Sequence, residues 1–302
     1  MQATAKASQL REGRAGTVLV HGVYIALTLC FVIPLLMVVS ISLSTERELT
    51  LSGFQLIPRE VTAQAYEFLF KNPGRILSAY RVTVITSVAS LFLYLLIASM
   101  CAYAISRRDF AWRGIVTFYM FFTMLFSGGL VPYYILCTQY LHLRDSLWAL
   151  ILTQLGNVWY IFIMRTYFQD IPASIIESAT IDGASEWAVY TRILLPLSLP
   201  SLATIGLLQF LGFWNSWFGA LLFITDKNLV PLQYLLQTML RNVLEIKRAM
   251  QGTGQNYVQM KDMPTEPLQM AMCMVAIGPI MLVFPFFQKY FVKGLTIGSV
   301  KG

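Results

Sequence analysis

The stretch from Asp170 to Pro200 reads DIPASIIESATIDGASEWAVYTRILLPLSLP and is a polar segment between two strongly apolar parts of the chain. Its pattern predicts two short helices that meet at Gly183, with the second ending where Pro196 breaks it. Ser174 and Glu177 have the spacing of a capping box, which predicts that the first helix begins near Ser174. Because this loop is so regular, it indicates a docking element, and the segments that flank it decide the fold.

The charges of this loop favour a protein partner over a lipid surface. An amphipathic helix that lies on a membrane usually carries Lys and Arg on its polar face. Here Asp170, Glu177, Asp182 and Glu186 stand against a single basic residue, Arg192. Anionic lipid headgroups would repel such a surface. A socket on another protein is therefore the better interpretation.

The composition of the chain is that of a membrane protein. Of its 302 residues, 57% are hydrophobic and 12% are charged, and the mean hydropathy is +0.63. A helix needs about 20 apolar residues to cross a hydrocarbon core of about 30 Å, and six intervals of at least 19 residues lack Asp, Glu, Lys and Arg. They predict an all-α integral membrane protein with spans at 18–43, 82–106, 115–139, 146–166, 198–224 and 268–289. Gly128, Gly129 and Pro132 predict a bend in the third span.

The ends of the chain and its long loops bear on the topology. Residues 1–17 are predicted to be a cytoplasmic segment, followed by a single transmembrane domain, 18–302. The first apolar run, at about 25 residues, is longer than the about 7–15 of a removable signal peptide. Basic residues leave the orientation open, because the outer loops 44–81 and 225–267 carry more of them in total. The three arginines within 107–113 favour a cytoplasmic N-terminus.

The outer loops themselves allow two interpretations. Either loop, 44–81 or 225–267, could face an extracytoplasmic binding protein. Each could equally be a solvated connector between spans. The sequence does not decide between the two.

Features of catalysis are missing from the sequence. The span cores contain His21 and, at an edge, Arg165, but no paired carboxylates, no metal-binding motif and no Ser-His-Asp set. A phosphate-binding loop of the type GxxxxGK[ST] is also missing. We therefore expect no catalytic residue, no metal site and no ATPase activity in this chain. Any energy that it uses has to come from another subunit.

The loop resembles a known family. Glu177, Ser178 and Ala179, then Gly183 after three residues and 193–196 (ILLP) after nine more, resemble the EAA loop of permease subunits of bacterial ABC importers. The departure is Ser178, which stands where the family usually has alanine. In that family the loop is cytoplasmic, and its helix docks in a cleft on the ATP-binding subunit. The residues that the resemblance assigns to coupling with the ATPase are Ser174, Glu177, Ala179, Asp182, Gly183 and Pro196.

The resemblance also implies partners and a location. It implies a multi-pass protein of the bacterial inner membrane, surrounded by lipid, with the coupling loop at 170–197 and both termini in the cytoplasm. Its partners would be a second permease subunit, two ATP-binding subunits that hold ATP and Mg²⁺, and an extracytoplasmic solute-binding protein. This chain would bind no cofactor of its own, and no nucleic acid.

Two further segments point to carbohydrate. Residues 210–217 (FLGFWNSW) resemble the carbohydrate-importer branch related to the second maltose permease subunit. The tail 285–302 is similar to the subgroup that imports oligosaccharides derived from polysaccharides such as alginate. Amide and aromatic groups are the materials of sugar sites, although Trp and Asn in a span also anchor interfaces or join helices. The predicted substrate-pathway residues are Gln209, Trp214, Asn215 and Trp217.

The sequence thus predicts ATP-driven oligosaccharide import, with acidic oligosaccharides as the substrate class that the tail suggests. An ATP-independent channel or secondary transporter is the alternative, and it would transport without an ATPase partner. An assembly scaffold or a membrane enzyme is the third hypothesis. It would show no stimulation of ATP hydrolysis by substrate.

Overall fold

A computed structural model describes residues 14–253 and 264–299 of the chain. Within these ranges the backbone forms helices joined by turns and contains no β-strand, which confirms the predicted all-α class. Most of the predicted cytoplasmic segment 1–17 lies outside the described residues. So do ten positions of the outer loop 225–267 and the last three residues of the chain.

Helices α1 to α15 follow one another along the described residues. A π-helical turn, Leu136–Tyr140, continues α6, and a second one, Val189–Leu194, joins α10 to α11. The α-helices are α1 (Arg14–Ser42), α2 (Glu46–Ser52), α3 (Gln64–Leu69), α4 (Pro73–Ser106), α5 (Arg113–Leu125), α6 (Leu130–Ile135), α7 (Leu147–Leu152), α8 (Val158–Gln169), α9 (Ala173–Ile181), α10 (Glu186–Ala188), α11 (Leu195–Leu197), α12 (Leu199–Trp214), α13 (Phe218–Phe223), α14 (Leu232–Thr253) and α15 (Glu266–Ser299).

The chain divides into two compact units. One comprises residues 1–71 and 242–275, and the other comprises residues 72–241 and 276–302. The first unit therefore contains α1 to α3, the end of α14 and the start of α15. The second contains α4 to α13 and with them the loop that the sequence singled out.

In the first unit, hydrogen bonds tie the short helices to the end of α1. The hydroxyl of Thr45 accepts a hydrogen bond of 3.1 Å from the N–H of Glu48 and so caps α2. The hydroxyls of Ser42, at the end of α1, and Tyr66, in α3, are 2.9 Å apart. These contacts fix the path of the chain as it leaves its first apolar helix.

In the second unit, α4 is the central helix and packs against both α8 and α12. Ala98 and Ala102 are fully buried on one face of α4, and their four-residue spacing lets neighbouring helices approach closely. Together the helices enclose one apolar cluster. Its buried members are Tyr94, Ala98, Ala102, Ile105, Ile161, Met164, Phe168, Tyr190, Leu194, Ile205 and Phe213.

Two of the described helices are long and apolar enough to cross a membrane, Gly16–Ser42 and Pro73–Ser106. They coincide with the predicted spans 18–43 and 82–106. The number rises to four if each of two bent helix pairs is counted as one span. The predicted sixth span falls within α15, whose apolar part is Glu266–Leu282.

The remaining predicted spans are interrupted. The third bends by 113° between α5 and the helix Leu130–Tyr140, and Gly129 at this break has a φ of +89°, which confirms the predicted bend. The fourth is divided between α7 and α8. At this break the hydroxyl of Tyr94 donates a hydrogen bond of 2.7 Å to the carbonyl of Asn157, the N-cap of α8, and so ties α4 to the start of α8. The fifth is divided between α12 and α13, so the count of six spans stays a prediction.

Candidate functional site

Helix α9 is the first helix of the predicted docking loop, and its start differs from the prediction. The helix begins at Ala173, with Pro172 as its N-cap and without a side-chain capping bond. Ser174 therefore lies inside the first turn, two positions after the N-cap, which is too late to act as the cap. The predicted capping box of Ser174 and Glu177 is wrong. Pro172 occupies the N-cap position with a φ of −54° and an extended ψ of 126°.

The end of α9 is as predicted. Gly183 has a φ of +82°, in the left-handed region that glycine adopts without steric cost. Its N–H donates to the carbonyl of Thr180 at 3.0 Å, and the N–H of Ala184 donates to the carbonyl of Ala179 at 2.9 Å. This pair of bonds is a Schellman motif. It closes the helix and turns the chain sharply after Asp182.

The surface of α9 is largely uncovered. None of its residues is buried, and Ile181 is 85% exposed. Ile176 and Ala179 are half-buried, while Glu177 is exposed. A nine-residue helix is marginal by itself in water, so its caps and a partner surface have to stabilise it. Exposed apolar side chains on a helix with a fixed C-terminal turn are typical of a docking element.

The second helix of the loop starts as predicted but does not end at Pro196. The hydroxyl of Ser185 accepts a hydrogen bond of 3.3 Å from the N–H of Ala188 and caps α10. The chain then runs through π-helical turns into α11, and the N–H of Leu195 donates to Tyr190 O. Pro196 has no N–H to donate, and it follows a wide turn rather than an interrupted α-helical one. The prediction that it breaks the helix is wrong.

The actual break lies two residues later. The segments Glu186–Leu197 and Leu199–Trp214 are bent by 76° relative to each other. Ser198 sits at the bend and is fully buried. The loop is therefore continuous with α12, and a shift of its second helix acts directly on the start of that apolar helix.

A polar cavity of about 620 Å³ lies beside α9. It separates the start of α9 from the connection between α4 and α5. Arg107, Arg108 and Arg113 line it together with Asp109 and Glu177. The three arginines that indicated a cytoplasmic side in the sequence are thus brought next to the docking loop.

The predicted pathway residues do not share one environment. Trp214 is 3% exposed, and its Nε1 donates a hydrogen bond of 3.0 Å to the carbonyl of Ala276. Gln209 is also buried, and its Oε1 accepts a bond of 3.3 Å from the amide of Asn157. Asn215 is exposed and Trp217 is half-buried. The structure therefore separates two interior side chains from two accessible ones, and the assignment of all four to the pathway stays a prediction.

Two carboxylates were given no structural role by the sequence. Glu46 is 6% exposed and accepts hydrogen bonds from Lys247 Nζ and from the N–H groups of Thr265 and Glu266, at 2.8, 2.8 and 2.9 Å. Its partners lie about two hundred positions away in the chain. A local pattern could not indicate them.

The second of these carboxylates is Asp145. It accepts hydrogen bonds from the hydroxyl and the N–H of Thr225 and from the N–H of Asp226. These bonds hold the pKa of Asp145 below its usual range. They join the turn after Tyr140 to the segment that follows α13.

Apolar helices around a central α4, together with an exposed, capped helix in a polar loop, define a membrane permease subunit. Residues 80–297 match the family of binding-protein-dependent transport system inner membrane components. Because the match covers more than half of the chain, the chain belongs to this family. The predicted membership of the permease family is thereby confirmed, and the assignment of residues 177–196 as its EAA loop stays a prediction.

Several relatives are known by function. The chain is 37% identical to the polygalacturonan/rhamnogalacturonan transport system permease protein YtcP of Bacillus subtilis, over 96% of this chain and all of that protein. It is 30% identical to the arabinooligosaccharides transport system permease protein AraQ of Halalkalibacterium halodurans, over 90% of this chain and 91% of that protein. Both of these relatives are permease proteins of saccharide transport systems.

A solved structure shares the fold. It is a chain from a bacterial ABC transporter involved in the import of the acidic polysaccharide alginate. The TM-score is 0.75 and the sequence identity 27%, and the match covers 92% of this chain and 98% of that chain. The predicted likeness to this subgroup of sugar importers is confirmed.

Proposed function

We propose that this chain forms half of the membrane pathway of an ABC importer for oligosaccharides, driven by ATP hydrolysis in partner subunits. The observation that carries this proposal is α9, a helix with a Schellman motif at Gly183 and without a buried residue. Its apolar and acidic surface suits a cleft on another protein. Since the family is that of a transport component, the partner that this helix most naturally serves is the energy-supplying subunit.

The topology that fits this role has six spans and both termini in the cytoplasm. It puts α9 and the arginines of 107–113 on the cytoplasmic side, in agreement with the excess of basic residues expected there. In this topology the interrupted parts of the third and fifth spans contact other protein segments or a water-filled cavity and not lipid, because irregular backbone is tolerated only there.

In the complete complex this chain would have four kinds of partner. A second permease subunit would complete the pathway, and two ATP-binding subunits would hold ATP and Mg²⁺. A solute-binding protein would deliver the substrate from outside, and lipid would surround the spans. This chain contributes no catalytic residue and no cofactor site to that assembly, so its part is mechanical.

In the loop, the coupling residues have separable roles. Glu177 is exposed on α9 and offers a carboxylate to a basic partner group, while Ile181 offers apolar area. Gly183 fixes the turn that follows. ATP binding that closes the two ATPase subunits would move α9, and differential contacts in the two states would shift the pathway between inward-facing and outward-facing forms.

The substrate class we propose is acidic oligosaccharide derived from polysaccharide. It is supported by two similar proteins, a polygalacturonan/rhamnogalacturonan permease and a chain of an alginate importer, because polygalacturonan and alginate are both polymers of uronic acids. Asn215 and Trp217 are the accessible members of the predicted pathway set. An amide and an indole at the mouth of a span supply hydrogen bonds and an aromatic face for a sugar ring.

The test is ATP hydrolysis by the complete complex in proteoliposomes, with its binding protein and a panel of oligosaccharides. We expect uronic-acid oligosaccharides to stimulate hydrolysis and to be taken up only with ATP. Stimulation by an uncharged sugar alone would overturn the substrate class. Uptake that continues without ATP would indicate a channel or secondary transporter, and intact assembly and transport in Gly183→Asp would overturn the role of the loop.

A further inference from the structure

The end of helix α4 presents three polar side chains to the second helix of the loop. Ser99 and Tyr103 lie four residues apart in the last two turns of α4, and Arg107, four residues further on, is the extended C-cap residue that follows the helix. Residues four apart lie on the same face of a helix. Glu186 and Tyr190 have the same spacing on the loop helix, so two matching faces oppose each other.

The two faces are joined by three hydrogen bonds. The hydroxyls of Ser99 and Tyr190 are 2.7 Å apart. The hydroxyl of Tyr103 donates to Oε2 of Glu186. Nη2 of Arg107 donates to Oε1 of Glu186 at 3.1 Å. Both carboxylate oxygens of Glu186 are therefore used, one by Tyr103 in α4 and the other by Arg107, the residue that follows α4.

The contact between α4 and the loop helix is buried at one end and exposed to solvent at the other. Ser99 and Tyr190 are 2% and 3% exposed, and the rings of Tyr103 and Tyr190 pack with centroids 5.6 Å apart. The side chain of Glu186 is 61% exposed. A hydrogen bond in an apolar interior is stronger than one in water, and breaking it leaves a costly unpaired group. The buried bond between Ser99 and Tyr190 therefore holds the loop helix against α4, and the exposed bonds of Glu186 fix the direction of that helix.

The position of Glu186 in the chain gives this contact its importance. It follows Gly183, the end of α9, by three residues. A displacement of α9 reaches Glu186 before it reaches α12. Because α4 packs against both α8 and α12, whatever moves with α4 moves the centre of the unit.

We infer that Tyr103, Arg107, Glu186 and Tyr190 are positioning residues that carry the motion of α9 to α4. This set is called the loop clamp below. The inference rests on the proposed function, since the motion is the one that ATP binding would impose. Without the clamp, α9 would still dock, but its displacement would be absorbed by the turn at Gly183.

The clamp is tested by the number of substrate molecules transported for each ATP hydrolysed, in proteoliposomes with the complete complex. Tyr103→Phe removes the hydroxyl and keeps the packed ring, and Glu186→Gln keeps the shape and removes the charge. We expect both variants to assemble and to hydrolyse ATP at the basal rate of the parent. The transport ratio should fall about three- to tenfold, which lies within the range of effects measured for residues that carry coupling.

Controls separate coupling from simple stability. Thr191→Val changes the same helix at a hydroxyl that bonds to the backbone of its own helix, Trp187 O, and should leave the ratio unchanged. Arg107→Lys retains a donor and should keep most of the ratio, whereas Arg107→Met should not. The double variant Tyr103→Phe with Arg107→Met should lose less than the product of the single losses, because both side chains act through Glu186.

Three outcomes decide the matter. If the parent complex shows no ATP-dependent uptake, the proposed function fails. If the parent transports and Tyr103→Phe and Glu186→Gln transport with an unchanged ratio, the clamp is overturned. A fall in assembled complex with an unchanged ratio for the remainder would also overturn it, since that is the signature of a structural role.

Discussion

Glu46 accepts a hydrogen bond of 2.8 Å from the ammonium group of Lys247, which lies 201 positions later in the chain. The same carboxylate accepts bonds from the N–H groups of Thr265 and Glu266, where α15 begins. A negative charge at the start of a helix is favourable because free N–H groups point towards it. Glu46 therefore joins α2, α14 and α15 within the first unit.

We expect the loss of this carboxylate to destabilise the protein strongly. Glu46→Ala removes the acceptor of three hydrogen bonds. We expect a cost of about 3 kcal/mol, the lower end of the range for a buried pair, because the Lys247 side chain is 27% exposed and keeps its bond of 3.2 Å to the hydroxyl of Thr265. Lys247→Met leaves the two N–H bonds in place and should cost less, about 1–3 kcal/mol. The free energy of unfolding in detergent measures both.

Arg248→Met is the matched control for the lysine. Arg248 is the next residue and is exposed, so its loss should change stability by less than about 0.5 kcal/mol. An equal effect of Lys247→Met and Arg248→Met would contradict the role given to the Glu46 contact.

Gly183→Ala tests the turn that ends α9. A Cβ at Gly183 meets no atom within 4 Å, so the cost comes from its φ of +82°, about 1–2 kcal/mol for an L-residue. We expect a several-fold fall in substrate-stimulated ATP hydrolysis because α9 is no longer held in one direction. Gly183→Asn should be milder, since asparagine tolerates the left-handed conformation.

Gly114→Ala provides the comparison. Gly114 also has open space around an added Cβ, but it lies in α5 without a positive φ. Alanine is favoured in a helix, so this variant should match or exceed the parent in stability and activity. Equal losses in the two alanine variants would show that backbone strain at Gly183 is not the cause.

The sequence predicted a feature correctly where the interactions that form it join residues close together in the chain, and it missed features whose partners lie far apart. Gly183 was predicted correctly because its Schellman bonds connect residues no more than five positions apart. The predicted start of the first loop helix at Ser174 and the predicted end of the second at Pro196 are wrong. There a proline at the cap and a π-helical turn replaced the usual local solution.

Glu46 and Asp145 could not be found from the sequence at all. Their partners are about 200 and 80 positions away, and the folded chain alone brings them together. The loop clamp could be predicted from the sequence only in part. Its four-residue spacing is visible in the sequence, but which helix faces which is not.

Asp145 should make stability depend on pH. Hydrogen bonds from Thr225 and Asp226 lower its pKa in the folded state, whereas the unfolded chain has a pKa of about 3.9. The folded state is therefore favoured above the unfolded pKa, and this contribution is lost as the pH falls through the lower, folded pKa. Unfolding measured between pH 6 and about pH 2 should show the loss.

Asp145→Asn should flatten this part of the profile. Asparagine accepts the same N–H bonds in part and tolerates the positive φ of 51° at this position, but it does not titrate. Asp170→Asn is the control, because Asp170 has no side-chain partner among the described residues and should leave the profile unchanged. The same acid sensitivity in the parent and in Asp145→Asn would show that another group is responsible.

Trp214 and Trp217 should respond differently to replacement by phenylalanine. Trp214→Phe loses the bond to Ala276 O but keeps an aromatic ring beside Phe210, whose centroid is 5.9 Å away. We expect a loss of about 1–2 kcal/mol in stability, with an unchanged KM for the oligosaccharide. Trp217 is half-buried against Phe218. Trp217→Phe should change stability little and raise the KM, because we propose that its accessible face contacts the sugar. A raised KM in Trp214→Phe alone would mean that the interior tryptophan becomes exposed to the pathway during transport, and that the accessible pair is not the site of contact.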